Sequence, residues 1–204
     1  MDRTAAPRNE DDSSQRQDAE AVARTLAGDT AAYDRLIEKY QRRAVSVAYR
    51  LLGNMSDAMD VCQDAFLRAF RSLATLQETQ RFGPWLMRIV SNLSLNYRRG
   101  RKQNLSLSMG DDESSPQDAQ LADEGRRERT GDEALMNEEL RELLEKAVDE
   151  LPPQQRLALT LFSIEQLPQK EVAEIMECSV EMVKWNVFQA RKALKARLAE
   201  YLEE

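Results

Sequence analysis

The pattern of apolar and polar residues predicts helices along most of the chain. From about Asp18 onwards, apolar residues recur at three- and four-residue steps, which is the period of an amphipathic helix. A first helix from about Asp18 is expected to end at Gly28, and Asp29 can cap the second helix. The apolar stripe of this second helix consists of Tyr33, Leu36, Ile37, Tyr40, Ala44, Val47, Ala48 and Leu51.

Two further helices complete an N-terminal domain. Gly53 is expected to end the second helix and Ser56 to cap the third, whose stripe is Val61, Cys62, Ala65, Phe66, Ala69, Phe70 and Leu73. Gly83-Pro84 opens a fourth helix, because proline is tolerated in the first turn. The stripe of the fourth helix is Trp85, Leu86, Ile89, Val90, Leu93 and Tyr97. Four helices with short connections predict one helical domain over residues 18–102.

Two segments lack this periodicity. Residues 1–17 are polar and nearly free of large apolar side chains, which predicts a disordered N-terminal tail. Residues 103–131 are rich in Ser, Asp, Glu and Gly and are too long for an ordinary loop in a compact domain. This second segment is predicted to be a flexible acidic linker.

The helical pattern resumes over residues 132–204. A stripe from Met136 to Leu151 ends at Pro152-Pro153, and a second helix is expected from Gln154 to about Glu165. A short helix then meets a long one at the corner Glu177–Ser179, where Ser179 can cap the final helix from Val180. Two helices joined by a tight corner are typical of a helix-turn-helix. The predicted fold class is therefore all-α, with two small helical domains joined by the linker.

The distribution of charge changes the interpretation of an acidic protein. The net charge is −7, yet residues 81–102 and 184–197 each carry several Lys and Arg residues and no acid. Local patches of one sign can bind phosphate while the whole protein remains acidic. Two basic segments separated by an acidic one therefore favour a nucleic-acid-binding protein.

The composition gives no support to catalysis or cofactor binding. The chain contains no histidine, which removes the commonest general base and metal ligand, and it has no phosphate-binding loop or dinucleotide fingerprint. Its two cysteines, Cys62 and Cys178, lie far apart and are predicted to be small packing residues. No cofactor or metal and no enzymatic activity are expected. No apolar stretch approaches the roughly 18 residues of a membrane span, and no secretory signal is evident, so a cytoplasmic location is predicted.

The helix-turn-helix supplies one set of candidate DNA contacts. The side chains expected on or beside the outer face of its second helix are Lys184, Trp185, Asn186, Gln189 and Arg191. Asn or Gln can pair with adenine, and Arg or Lys can reach guanine or phosphate. The alternative interpretation is a basic amphipathic hairpin with a solvated face, although an exposed tryptophan beside a lysine favours a partner.

The first basic segment supplies a second set of candidate contacts. Aromatic and basic side chains alternate along RFGPWLMRIVSN and NYRRGRK, a combination suited to single-stranded or opened nucleic acid. The alternative for Trp85 and Tyr97 is packing in the core, and for Asn92 it is an ordinary polar position on a helix surface.

Three co-linear segments resemble one family. DAMDVCQDAFLRAFRSL resembles the helix of sigma domain 2 that docks on RNA polymerase, and RFGPWLMRIVSNLSLNYRRGRK resembles its −10-melting segment. The segment from Leu151 to Leu194 resembles sigma domain 4, which reads the −35 element. The order and the acidic linker are similar to the extracytoplasmic-function (ECF) class of the sigma-70 family, which keeps domains 2 and 4 only.

The resemblance implies site residues and partners. The polymerase-docking set is Asp60, Gln63, Asp64, Phe66 and Arg68. The −10 set is Arg81, Phe82, Trp85, Arg88, Asn92, Tyr97, Arg98, Arg99, Arg101 and Lys102. The −35 set is Lys170, Ser179, Lys184, Trp185, Asn186, Gln189, Arg191 and Lys192. The implied partners are core RNA polymerase, through its β′ clamp helices and β flap, promoter DNA, and an anti-sigma factor.

The sequence is compatible with more than one −35 preference and with one rival function. The segment from Met182 to Gln189 departs from the more arginine-rich recognition helix of many relatives, which leaves the −35 sequence undetermined. The rival function is a stand-alone helix-turn-helix transcription regulator. That class needs a sensor or receiver domain, and residues 18–102 show neither a strand pattern nor a ligand-binding motif.

Overall fold

The computed structural model describes the backbone of residues 8–107, 140 and 143–202, and every regular element within these ranges is helical. The N-terminal part consists of α1 (Arg8–Leu26), α2 (Thr30–Leu52), α3 (Met55–Ser72) and α4 (Phe82–Leu107), with short 3₁₀ turns at Leu73–Thr75 and Thr79–Arg81. The C-terminal part consists of α5 (143–150), α6 (Pro153–Leu159), α7 (Gln169–Met176) and α8 (Val180–Leu202). The predicted all-α fold is confirmed. None of the described helices is long and apolar enough to cross a membrane.

Local chemistry accounts for several helix ends, and one predicted cap is replaced by another. Gly28 and Gly53 both adopt positive φ, at 100° and 74°, which explains why α1 and α2 end there. The Oγ of Ser179 accepts a hydrogen bond from the backbone N–H of Met182 at 3.2 Å, as expected of an N-cap. The prediction for α3 was wrong, because Asn54 rather than Ser56 caps it and accepts a bond from the N–H of Asp57 at 2.9 Å.

Two helices extend beyond their predicted bounds. α1 begins at Arg8, within the segment 1–17 for which the sequence predicts a disordered tail. Tertiary contact accounts for the difference, since Lys39 on α2 donates a hydrogen bond to the carbonyl oxygen of Ser14 at 3.1 Å. α4 continues to Leu107, past the expected start of the linker at residue 103. The rest of the predicted linker, residues 108–131, lies outside the described residues.

The N-terminal core is built from the predicted stripes. α2, α3 and α4 pack against one another, and α1 packs on α2 and on the turn before α4. The largest fully buried side chains in this part are Val22, Leu36, Val47, Leu51, Leu73, Phe82, Leu86, Met87 and Val90. Cys62 is also buried, and burial raises the pKa of its thiol to about 12, so it acts as a packing residue.

The C-terminal part contains a helix irregularity that the sequence pattern does not predict. α6 widens into a π-helical turn over Thr160–Ile164, where the N–H of Glu165 bonds to the carbonyl oxygen of Thr160 at 2.9 Å. Beyond it, α7 and α8 pack against each other as the helix-turn-helix, with Glu177 at φ 51° in the corner. The buried side chains of this part include Leu157, Leu161, Val172, Ile175, Val183 and Val187.

The two parts pack directly on each other. Their buried side chains form one continuous apolar cluster, in which α7 lies against α4. The hydroxyl of Ser46 on α2 donates a hydrogen bond to Glu165 at 2.5 Å, and Arg156 donates to the carbonyl oxygen of Leu51 at the end of α2 at 3.3 Å. The described residues therefore form a closed arrangement, in which the helix-turn-helix region covers part of α4.

Gly83 marks a close approach of α4 to α2. A Cβ added at Gly83 would lie 2.7 Å from Tyr40 Oη, and Tyr40 is held in place by a 2.5 Å bond to Asp18 and by the ring of Phe82. Gly83→Ala is therefore expected to lower the free energy of unfolding by about 1–3 kcal/mol, measured by urea denaturation.

The matched control for this substitution lies on the same helix. A Cβ at Gly100 meets nothing within 4 Å, so Gly100→Ala is expected to raise the free energy of unfolding by about 0.5–1 kcal/mol through helix propensity alone. Stabilisation by both substitutions would contradict the close approach at Gly83.

Candidate nucleic-acid interface

The predicted polymerase-docking residues lie on α3, and all but one of them face outwards. Asp60, Gln63 and Arg68 are exposed and Asp64 is half-buried, with an i,i+4 ion pair of 2.9 Å between Asp64 and Arg68. Phe66 is 8% exposed and belongs to the core, so its ring is not available to a partner in this arrangement.

Sequence reasoning missed the apolar members of this surface. Met59 and Leu67 are 59% and 49% exposed and lie beside Gln63 at four-residue steps. Phe70, predicted on the core face, is 43% exposed, although its ring still contacts Tyr33 with centroids 5.0 Å apart. An apolar series opposite the core stripe was the signal for this surface, and it was visible in the sequence.

The aromatic residues at the start of α4 have two different roles. Phe82 is fully buried, with ring centroids 5.6 Å from Tyr40 and 6.0 Å from Trp85. Trp85 is half-buried and packs against the same cluster. Tyr97 is 42% exposed and donates a hydrogen bond to Asp57 at 2.8 Å, which raises the pKa of its hydroxyl. Phe82 is thus a core residue, while Tyr97 remains on the surface.

Three of the predicted −10 arginines pair with acids of the C-terminal part. Arg81 lies 3.0 Å from Glu174 and Arg88 lies 2.7 Å from Glu177, and both acids belong to the helix-turn-helix. Further along α4, Arg98 lies 3.0 Å from Asp149. In the closed arrangement, carboxylates thus pair with three arginines that the sequence assigns to contacts with −10 DNA.

The other polar members of the −10 set are distributed along the outer side of α4. Asn92 and Arg99 are exposed. Arg101 is exposed and pairs with Asp57 on α3 at 2.8 Å. The backbone of Lys102 belongs to α4, but its side chain lies outside the described residues.

A cavity lies at the loop that precedes α4. Its volume is about 870 Å³, and its lining includes Gln80, Arg81, Gly83 and Pro84. The lining also includes Glu165 and Glu171 from the C-terminal part, so the cavity opens at the seam between the two parts.

The −35 set lies on and around the helix-turn-helix. Lys170 on α7, Ser179 in the corner, and Lys184, Trp185 and Lys192 on α8 are all exposed, and Gln189 is half-buried. Arg191 is exposed but engaged, because it donates to Ser163 at 3.1 Å and lies over the ring of Phe162 at 5.9 Å.

Asn186 does not lie on the outer face of α8, contrary to the expectation. Its side chain is 4% exposed, and its amide donates a hydrogen bond to the carbonyl oxygen of Met182 at 2.9 Å. The true outer residues that sequence reasoning missed are Met182 and Phe188, which are 49% and 63% exposed. Their spacing from Trp185 by three residues in each direction was the available signal.

Comparison with family models identifies both parts of the chain. Residues 36–104 match the model of Sigma-70 region 2, and residues 141–194 match the model of Sigma-70, region 4. The first match contains α3 and most of α4, and the second contains the helix-turn-helix.

Full-length relatives and solved structures extend these matches. The chain is 33% identical to the RNA polymerase sigma-H factor of Pseudomonas aeruginosa over 93% of this chain and 98% of that protein. It is also 33% identical to the ECF RNA polymerase sigma-E factor of Escherichia coli K12, over 89% of this chain and 94% of that protein. Its fold is similar to CnrH, solved in complex with the cytosolic domain of CnrY, with a TM-score of 0.63, 24% identity, and coverage of 90% and 98% of the two chains.

A second solved structure shows the same fold. It is the sigma factor RpoE from Bartonella quintana, solved in complex with the anti-sigma factor NepR, with a TM-score of 0.64, 20% identity, and coverage of 82% and 96% of the two chains. The chain belongs to the extracytoplasmic-function class of the sigma-70 family, the RNA polymerase sigma factors that direct transcription initiation to promoters.

Proposed function

We propose that this sigma factor docks on core RNA polymerase through the outer face of α3, opens the −10 element with α4 and reads the −35 element with α8. The docking surface combines the polar residues Asp60, Gln63, Asp64 and Arg68 with the exposed apolar residues Met59 and Leu67. A surface of this composition suits an interface with a protein, in which an apolar centre is surrounded by polar groups.

The observation that carries the proposal is the charge of two helix surfaces. α4 contains no acid over its full length, and α8 contains none from Lys184 to Arg197. Two separate basic helices in one chain suit contacts with two separate promoter elements, since each neutralises phosphates of one DNA segment.

In this proposal, each set of site residues contacts one promoter element. Arg98, Arg99, Arg101 and Lys102 hold backbone phosphates near the −10 element, and Asn92 contacts an unstacked base beside the Gln80–Pro84 loop. Lys170, Ser179, Lys184, Gln189, Arg191 and Lys192 contact the −35 DNA. The predicted acidic linker connects the domain of residues 18–102 to that of residues 132–204.

The proposal also covers how the protein is controlled, where it acts and whether it is catalytic. CnrH and RpoE are described in complex with the cytosolic domain of CnrY and with the anti-sigma factor NepR, respectively, and we extend control by an anti-sigma factor to this chain. The protein acts in the cytoplasm, where polymerase and promoters are found, and it has no catalytic activity of its own. It contacts core polymerase through the β′ clamp helices and the β flap.

The test is transcription in vitro by core polymerase with this protein on fragmented genomic DNA of the source organism, followed by sequencing of RNA 5′ ends. Discrete starts that share a two-part upstream motif are expected. Sequence-specific DNA binding without any interaction with core polymerase would favour the stand-alone helix-turn-helix regulator instead.

Asn92→Ala provides a residue-level test of promoter opening. The side chain is exposed on α4, so its removal is expected to spare the fold and polymerase binding. Loss of one hydrogen bond to an unstacked base is expected to lower promoter opening about three- to tenfold, measured as permanganate reactivity of −10 thymines. Unchanged reactivity would assign Asn92 to the solvent-exposed surface alone.

A further inference from the structure

The outer face of α8 is more apolar than phosphate contacts require. Met182, Trp185 and Phe188 are 49%, 51% and 63% exposed, although each is a large apolar side chain. The opposite face carries Val183, Asn186, Val187 and Ala190, all of them buried. The three exposed side chains thus form a stripe on the surface of the helix, called here the apolar stripe of α8.

The position of the stripe among charged residues indicates the chemistry of its partner. At about 100° per residue, Trp185 and Phe188 lie near the centre of the exposed face, together with Lys192. Lys184, Arg191 and Lys195 lie along one edge of that face. Residues 180–199 contain a single acid, Glu181. An apolar stripe with cations on it and along one edge is complementary to a polyanion that also presents apolar groups.

Major-groove DNA is a polyanion of this kind, because each thymine presents a C5-methyl group there. The polar groups available for reading bases are few. The amide of Asn186 is buried and donates to the Met182 carbonyl oxygen, and Arg191 is engaged by Ser163 and Phe162. Lys184, Gln189 and Lys192 remain as polar side chains on or beside the stripe.

We infer that α8 specifies a thymine-containing −35 element through contacts of Met182, Trp185 and Phe188 with thymine methyl groups. The inference rests on the proposed function, in which α8 enters the major groove of the −35 element. The stripe supplies sequence preference, and the surrounding lysines supply affinity that does not depend on sequence.

The test uses the full-length protein with core polymerase. The preferred −35 sequence is first selected from promoter DNA randomised at that element. Duplexes are then synthesised with deoxyuridine in place of each −35 thymine, which removes the methyl group and leaves base pairing unchanged. Holoenzyme affinity is expected to fall about fourfold for each contacted methyl group, the fold-change that corresponds to burial of one such group.

Variants identify the side chains responsible. Trp185→Ser and Phe188→Ala are expected to weaken binding to thymine DNA and to abolish most of the difference between thymine and deoxyuridine. Lys184→Ala is expected to keep that difference while reducing the salt slope of binding by about one unit. Leu26→Ala is the matched control, since Leu26 is a 51% exposed apolar residue at the end of α1. This variant should keep both the affinity for thymine DNA and the difference between thymine and deoxyuridine DNA.

The outcomes separate this inference from the proposed function. Selection of a defined −35 sequence with equal affinity for thymine and deoxyuridine DNA would overturn the inference and leave the proposed function intact. No dependence on the −35 sequence at all would overturn both. Loss of core polymerase binding in the Trp185 and Phe188 variants, with no effect of deoxyuridine on the unaltered protein, would assign the stripe to a protein interface. The deoxyuridine comparison uses the unaltered protein, so it does not depend on how the variants fold.

Discussion

Replacing Arg156 with alanine is expected to lower the free energy of unfolding by about 3 kcal/mol, because hydrogen bonds from a charged donor are among the stronger ones in proteins. Arg156 is 2% exposed, and its guanidinium donates to the carbonyl oxygens of Leu51, Val148, Asp149 and Leu151. These bonds secure the end of α5 and connect the C-terminal part to the end of α2. Urea denaturation of the full chain is the measurement.

Arg197→Ala provides the matched control. Arg197 also pairs with an acid, Glu150 at 2.5 Å, but the two side chains are 52% and 59% exposed. An exposed ion pair contributes about 0–1 kcal/mol, so this variant should remain close to the unaltered protein. A loss for Arg156→Ala no larger than that for Arg197→Ala would show that the buried bonds contribute little to stability.

Reversing the charge of two acids on the helix-turn-helix is expected to open the closed arrangement. Glu174→Lys with Glu177→Lys replaces the pairs with Arg81 and Arg88 by repulsion. Each exposed pair contributes up to about 1 kcal/mol, and charge reversal adds a comparable penalty. The closed arrangement is therefore expected to lose about 2 kcal/mol of free energy relative to the open one. This corresponds to an approximately 30-fold change in the ratio of closed to open molecules.

Two measurements follow this change of arrangement. Small-angle X-ray scattering should show a larger radius of gyration, and affinity for single-stranded −10 DNA should rise because Arg81 and Arg88 become available. Glu20→Lys with Glu38→Lys makes the same change in net charge on exposed positions of α1 and α2. An equal gain in DNA affinity for this control would attribute the effect to net charge rather than to opening.

The fold was largely predictable because the periodic apolar positions in the sequence indicate both the helices and their buried faces. The stripes of the second to fourth helices form the N-terminal core, and the corner at Glu177–Ser179 lies where local residue types indicate it. The differences have both local and distant causes: Asn54 instead of Ser56 caps α3, two residues from the expected position. The helical start at Arg8 is supported by Lys39 on another helix, and the π-helical turn after α6 has no periodic signature.

The candidate site was predictable at the level of helices but less so for single side chains. Phe82 and Asn186 were assigned to DNA because of their residue type and neighbours, whereas the structure buries both. Burial depends on the rotation of a helix against its neighbours, and a shift of one residue turns a side chain by about 100°. Met182 and Phe188 were overlooked as surface residues because apolar residues on a helix are normally assigned to its core face.

Arg98 and Arg156 share two hydrogen-bond acceptors, and this sharing affects how the closed arrangement opens. Both arginines donate to the carbonyl oxygen of Leu51, and both pair with Asp149 Oδ1, at 3.0 Å and 3.3 Å. When the parts separate, Arg98 retains the Leu51 carbonyl and Arg156 retains the Asp149 carboxylate. Neither acceptor loses its last donor, so separation leaves no orphaned group at this contact. We therefore expect the exchange of partners at this contact to cost little free energy, and Arg98 to exchange the Asp149 carboxylate for a phosphate while it keeps its bond to Leu51.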